Sequence, residues 1–152
     1  MNAIWGIDPG LTGAIVFLSD QEVEIHDMPT LVVSGNKRTI SAVGVADILA
    51  SKKHPCVIEK VASRPGQGVT SMFSFGMGYG IVLGVAAALM IPINYVTPQQ
   101  WQREMKVQSG KDASRQRAME LYPQHSTFFA RKKDHGRADA LLIARWGLLL
   151  PS

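Results

Sequence analysis

The chain holds one cysteine, Cys56, so no disulfide can close within it, and such sparing use of thiols suits a reducing cytoplasm. Cys56 lies in an apolar run and reads as a buried structural thiol. Charge is also scarce: 18% of residues are Asp, Glu, Lys or Arg, against roughly 25% in ordinary soluble domains. With 46% hydrophobic residues, this composition predicts a well-buried fold and speaks against disorder. Internal repeats, low-complexity tracts and linkers are missing. The 152 residues are therefore expected to form one domain, 1–152, large enough for its own core. The opening MNAIWGIDPG has neither the basic start nor the long apolar core of a signal peptide. The longest apolar stretch, GIVLGVAAALMIPI, is short for a membrane span and broken by glycine. The expectation is a cytoplasmic protein with no membrane partner.

Several catalytic signatures are missing too. No Cys–His pair or zinc-ligand spacing occurs, GVTSMFSFG is not a nucleophile elbow, and no Walker loop is present. GMGYG has no strand before it, so it is not a dinucleotide fingerprint.

The charge that is present is unevenly placed. Net charge is +4, and between Trp101 and Arg137 nine Lys or Arg face four acids. A basic segment on an otherwise near-neutral body suggests a polyanion, with nucleic acid the first choice, although a merely solvated helical face is the plain alternative.

The pattern along the chain is that of a mixed α/β layer fold. AIWGID, GAIVFLS and EVEIHDM read as three strands joined by short turns, hence an antiparallel meander. PTLVVSGNKRT reads as an irregular loop. An amphipathic helix follows over 40–50, then a strand in PCVIEKV and the loop ASRPGQGV. A long helix opens at Thr70, and its glycines at 76, 80 and 84 share one face that would admit another backbone. INYV is a fifth strand, Thr97 and Pro98 open a further helix, KDASRQRAMELY forms another that Pro123 stops, and DHGRADALLIARWG forms the last.

Three carboxylates sit where apolar residues belong. Asp8 ends the first strand, Glu59 nears the end of the fourth, and Asp139 interrupts a helix face shared with His135, Leu142 and Trp146. A buried carboxylate must be paired, protonated or bound to metal. Internal salt bridges, of Glu59 with Lys60 or Arg137 for instance, are one resolution. A hard-cation site is the other: Mg²⁺ takes oxygen ligands, and two such ions roughly 4 Å apart clamp the attacking and leaving oxygens of a phosphodiester displacement. His135 reads either as an exposed or capping histidine or as a metal ligand or base near neutral pH, with Asp134 beside it as a cap or supporting partner.

The order GIDPGLTGA, VIEKV, GKDASR, DHGRADALLIARWG resembles the RuvC-like Holliday junction resolvases, metal nucleases of ribonuclease H-like fold, and is most similar to their phage and chloroplast branch. The resemblance runs over nearly the whole chain. It implies a mixed five-stranded sheet, three antiparallel strands first and then two more, with helices on both faces. It also implies an acidic cluster of Asp8, Glu59 and Asp139 holding two Mg²⁺ or Mn²⁺ ions. Branch relatives often carry Asp where this chain has His135, which leaves open whether His135 or Asp134 takes the fourth place. Lys111 matches a family lysine near the scissile phosphate, with a solvated lysine as the alternative. Arg115, Arg131, Lys132, Lys133 and Arg137 are candidate backbone contacts. Arg64, Gln67 and Met72 or Phe73 are candidates to probe or wedge the junction centre, although Phe73 reads equally well as core. The resemblance further implies branched DNA as substrate, a homodimer cutting two strands symmetrically, with the glycine-lined helix as one candidate contact, and a bacterial or phage source. A non-catalytic branched-DNA binding module is the first alternative. The second is an actin- or sugar-kinase-like ATPase fragment, because GIDPGLTG resembles the phosphate loop of that superfamily.

Overall fold

The computed structural model describes residues 2–62 and 66–151. Five strands form the main sheet: β1 (Ala3–Asp8), β2 (Ala14–Ser19), β3 (Val23–Asp27), β6 (Cys56–Glu59) and β7 (Ile93–Val96), in the order β3-β2-β1-β6-β7. β1, β2 and β3 are antiparallel neighbours, whereas β6 pairs parallel to β1 and β7 parallel to β6. The expected mixed sheet is therefore present.

Strand alternation divides the core in two. Ile4, Val16, Leu18 and Val57 face a layer made chiefly by α5 (His135–Gly147), with α3 (Pro98–Glu104) and α4 (Ala113–Leu121) beyond it. Trp5, Ile7, Ile15, Phe17, Cys56 and Ile58 face α1 (Ala42–Ala50) and α2 (Val69–Ala88) on the opposite side. Cys56 is buried, and burial pushes its thiol up to about 12, so the structural reading of this cysteine stands. α3 starts as its sequence predicts: Thr97 and Gln100 form a reciprocal capping box with Pro98 in the first turn.

Two expectations need correction. PTLVVSGNKRT is not irregular: β4 (Thr30–Ser34) and β5 (Lys37–Ile40) form a separate antiparallel hairpin. Residues 31–38 are exposed, so no hydrophobic alternation marks it in the sequence. α2 starts after Gly68 rather than at a Thr70 cap. The glycine face of α2 at 76, 80 and 84 is open. A Cβ added at Gly76, Gly80 or Gly84 would meet nothing within 4 Å, whereas Gly78 packs on Ile40.

α2 is 20 residues long with a mean hydropathy of 1.5, long and apolar enough to cross a membrane by length and composition. Here its buried residues are Gly78, Val82 and Ala86, with Gly78 against Ile40 of β5. Met72, Phe73, Phe75 and Met77 of α2 are exposed.

Candidate metal centre and nucleic-acid interface

Backbone geometry brings the three acids together. Ile7 and Ile58 are partners in the parallel β1–β6 pair, so the next residues, Asp8 and Glu59, lie level at the carboxyl ends of adjacent strands. Both share the sheet face of Gly6 and Val57, the face covered by α5. That helix crosses β1 very closely: a Cβ at Gly6 would lie 2.3 Å from the Ala140 carbonyl oxygen. Its first turn abuts the β1–β2 turn, where a Cβ at Gly136 would lie 2.2 Å from the Thr12 carbonyl oxygen. Only hydrogen fits at either position. His135 and Asp139 are thereby carried to the end of β1.

The electrostatics record this convergence. The Asp139 carboxyl is pushed up to about 7, first by burial and then by the charge of Asp8. A hydrogen bond from Ser114 opposes the rise, and Glu59 adds to it. Burial raises the Asp8 carboxyl as well, against the Gly10 backbone N–H and the positive charge of His135. The Gly10 N–H donates to Asp8 Oδ1 at 3.3 Å. Glu59 Oε2 accepts from Trp101 Nε1 at 2.7 Å. Arg137, one of the two salt-bridge partners anticipated for Glu59, pairs with Asp27 instead. The cluster stands open: among the described residues, no three His, Cys, Asp or Glu side chains close to metal-holding geometry. Like charges do act on one another here: the charges of Asp8 and Glu59 both push the Asp139 carboxyl up. The donor set nonetheless fits a hard divalent cation, which would reverse the repulsion.

Asp134 belongs to a different arrangement. It is buried and accepts from the Arg131 backbone at 2.9 Å and from its guanidinium at 3.0 and 3.2 Å. Arg137 Nη1 lies 3.6 Å away. Burial raises the Asp134 carboxyl, but the Arg131 hydrogen bonds outweigh it and the group titrates below its ordinary value. Asp134 is thus committed to arginines, and His135, exposed at the first residue of α5, is the better-placed fourth group.

Two candidate DNA contacts have partners within the chain. Arg115 is buried and donates to the carbonyls of Phe129 and Ala130 at 3.1 and 3.0 Å and to Asp112. It clamps the 3₁₀ segment Pro123–Phe129 onto α4. Arg137 makes a two-pronged pair with Asp27 at 2.7 and 2.9 Å, tying α5 to the edge strand. We expect Arg115→Met to lower stability by about 2–4 kcal/mol by stranding buried carbonyls, measured by urea unfolding. The salt dependence of DNA binding should stay as in wild type, whereas a true phosphate contact would flatten it.

The remaining cations are on the surface. Lys111, Arg131, Lys132 and Lys133 are exposed, and Arg131 keeps its pair with Asp134. The charges of Lys132 and Lys111 both reach Asp112, so the 3₁₀ segment Lys132–Asp134 and the start of α4 form one basic rim. Ser114, which bonds Asp139, lies in the first turn of α4, joining that rim to the acids. A cleft of about 350 Å³ is lined by Gly10, Thr12, Thr39, Gln67, Ser71 and Phe75, among others. Gln67 thus shares a cleft with Gly10, the backbone partner of Asp8. Phe73 is 72% exposed, which removes its core reading. Arg64 lies outside the described residues. Trp101 and Ser114 were not singled out in the sequence. The only sequence signal for Trp101 is that a buried indole N–H needs an acceptor.

No protein-family model matches the chain. Over 86 residues, 55% of its length, it is 34% identical to the chloroplastic Holliday junction resolvase MOC1 of Chlamydomonas reinhardtii. That stretch spans only 10% of the curated relative's length. Among solved structures the chain is similar to T. thermophilus RuvC in complex with a Holliday junction substrate, with TM-score 0.62 and 17% identity, covering 95% of this chain and 90% of that one. It is also similar to the yeast mitochondrial Holliday junction resolvase Ydc2, with TM-score 0.52 and 18% identity, covering 93% and 75%. The fold is that of the RuvC-like proteins, as the sequence motifs imply.

Proposed function

We propose that this chain is a metal-dependent, structure-selective endonuclease that resolves four-way DNA junctions by paired phosphodiester hydrolysis, leaving 5′-phosphate and 3′-hydroxyl ends. The observation that carries this reading is the Asp139 carboxyl, raised first by burial and then by the charges of two further acids, Asp8 from β1 and Glu59 from β6. Three carboxylates within electrostatic reach of one another gain most from a divalent cation. The similarity to junction resolvases supplies the substrate class.

Asp8, Glu59 and Asp139, with His135 as fourth group, would hold Mg²⁺ or Mn²⁺, two per site. Bound there, the cations would acidify a water and neutralise charge on the leaving oxygen. The protein's own groups do the rest. Lys111 holds the scissile phosphate, and Arg131, Lys132 and Lys133 draw the DNA backbone to a site that its acids alone would repel. Gln67 and Phe73 approach the junction centre. Phe73 is apolar, exposed and suited to stacking on an unpaired base.

Two symmetric cuts call for two sites, hence a homodimer. The exposed apolar face of α2, with Gly76, Gly80 and Gly84 open, is the surface on which a second copy would sit. Small residues there would let two helices approach closely.

The test is a cleavage assay on end-labelled four-way, three-way and linear DNA with Mg²⁺, with Mn²⁺ and with chelator. Paired nicks in the four-way substrate that require metal are expected. Equal junction binding with and without metal and no cutting would make the protein a non-catalytic binding module. ATP turnover without DNA would point to the ATPase alternative.

A further inference from the structure

Glu59 is a long side chain at the end of a strand, and its carboxylate can swing on three bonds. A cation site needs its ligands held near their bound orientation before the ion arrives, because ordering them afterwards weakens binding. Trp101 supplies that restraint. It is 1% exposed and stands on α3, whose start is fixed by the Thr97–Gln100 capping box and Pro98. Its Nε1 donates to Glu59 Oε2 at 2.7 Å, the length of a charge-assisted bond. An indole N–H only donates and does not titrate, so it orients the carboxylate at every working pH. It also cannot neutralise that carboxylate as a lysine would. α3 packs on α5, the helix that carries Asp139, so the same contact ties Glu59 to the element bearing its partner acid.

We propose that Trp101 is a positioning residue that sets the Glu59 carboxylate for divalent-metal binding. This inference rests on the metal-nuclease reading above. The chain contains its own control: Trp5 is equally buried and its Nε1 donates to the Lys52 carbonyl at 3.0 Å, but it belongs to the core on the opposite face of the sheet.

The experiment compares wild type, Trp101→Phe and Trp5→Phe as full chains by calorimetric titration with Mn²⁺ in the absence of DNA. Both variants lose one indole hydrogen bond and should melt earlier. Trp101→Phe should bind Mn²⁺ about 10–100-fold more weakly, the range for lost partners of metal ligands, while Trp5→Phe stays within about twofold of wild type. In a Glu59→Gln background, Trp101→Phe should have no further effect on Mn²⁺ affinity. Should Trp101→Phe fail to fold, the wild-type protein still decides the matter. The indole N–H resonance of Trp101 should shift on adding Mg²⁺ and that of Trp5 should not. Wild-type affinity in Trp101→Phe, weakening that merely tracks lost stability in both variants, or an unmoved Trp101 resonance would overturn the positioning role. Absence of Mn²⁺ binding by wild type would overturn the metal reading itself, and the positioning role with it.

Discussion

Asp139→Asn is expected to reduce junction cleavage by on the order of 10³-fold or more, while junction binding stays within about threefold of wild type. The amide keeps the shape of the side chain and removes the charge that would hold a cation. A second effect of the same substitution has the opposite sign. The Asp139 carboxyl titrates at about 7 in the folded protein against 3.8 for the ordinary group. A folded-state value raised above the unfolded one favours the protonated form. Its stability is fully present below pH 3.8 and is lost as pH rises through 7. Asp139→Asn has no proton to lose. Without metal at pH 8 it should therefore be more stable than wild type by about 2–4 kcal/mol, or roughly 5–10 °C in Tm. The two proteins should melt alike near pH 4. Millimolar Mg²⁺ should stabilise wild type and leave the variant unchanged. Thermal melts across pH with and without Mg²⁺, paired with the cleavage assay, check both effects. A variant that cuts at the wild-type rate would remove Asp139 from the catalytic set.

Gly136→Ala should damage fold and activity together. The added Cβ would lie 2.2 Å from the Thr12 carbonyl oxygen and 2.8 Å from Gly13 Cα. Both are backbone atoms of a tight turn and cannot swing aside as a flexible side chain would. We expect a loss of about 2–4 kcal/mol in denaturant unfolding. The contact can be relieved by sliding the first turn of α5 away from β1, which separates His135 and Asp139 from Asp8. A displacement of about 1 Å at a reacting centre costs on the order of 10²-fold in rate, so cleavage should fall at least that far even in saturating Mg²⁺. Gly80→Ala is the matched control. Its Cβ enters open space, so monomer stability should be unchanged or slightly improved by the better helix propensity of alanine.

Much of this site can be read from the chain because its acids violate the local pattern. Asp8 and Glu59 each close an apolar strand and Asp139 interrupts an apolar helix face, so each stands out against its neighbours. The sheet was legible for a related reason. β1, β2 and β6 are buried strands bounded by turn residues, and the capping box of α3 is written in Thr97, Pro98 and Gln100. What stayed hidden depends on partners far along the chain. The β4–β5 hairpin is exposed over most of its length, so periodicity has nothing to report. The Gly35–Asn36 pair at its turn, with Gly35 at φ 56°, was the one available sign. Arg115 looks like any helical surface cation. Only the fold reveals that the carbonyls of Phe129 and Ala130 need its donors. The close approaches of glycine stayed hidden too. Spacing drew attention to the glycines of α2, whereas Gly6 and Gly136 look like ordinary strand and helix residues until α5 lies across β1.

Central to the account is that carboxylates from β1, β6 and α5 together form one divalent-cation site. Anomalous scattering from crystals grown with Mn²⁺ tests it most directly. The account predicts manganese between Asp8, Glu59 and Asp139, with carboxylate oxygens at about 2.1–2.2 Å. Manganese bound only elsewhere, or none near these three residues at saturating concentration, would contradict it.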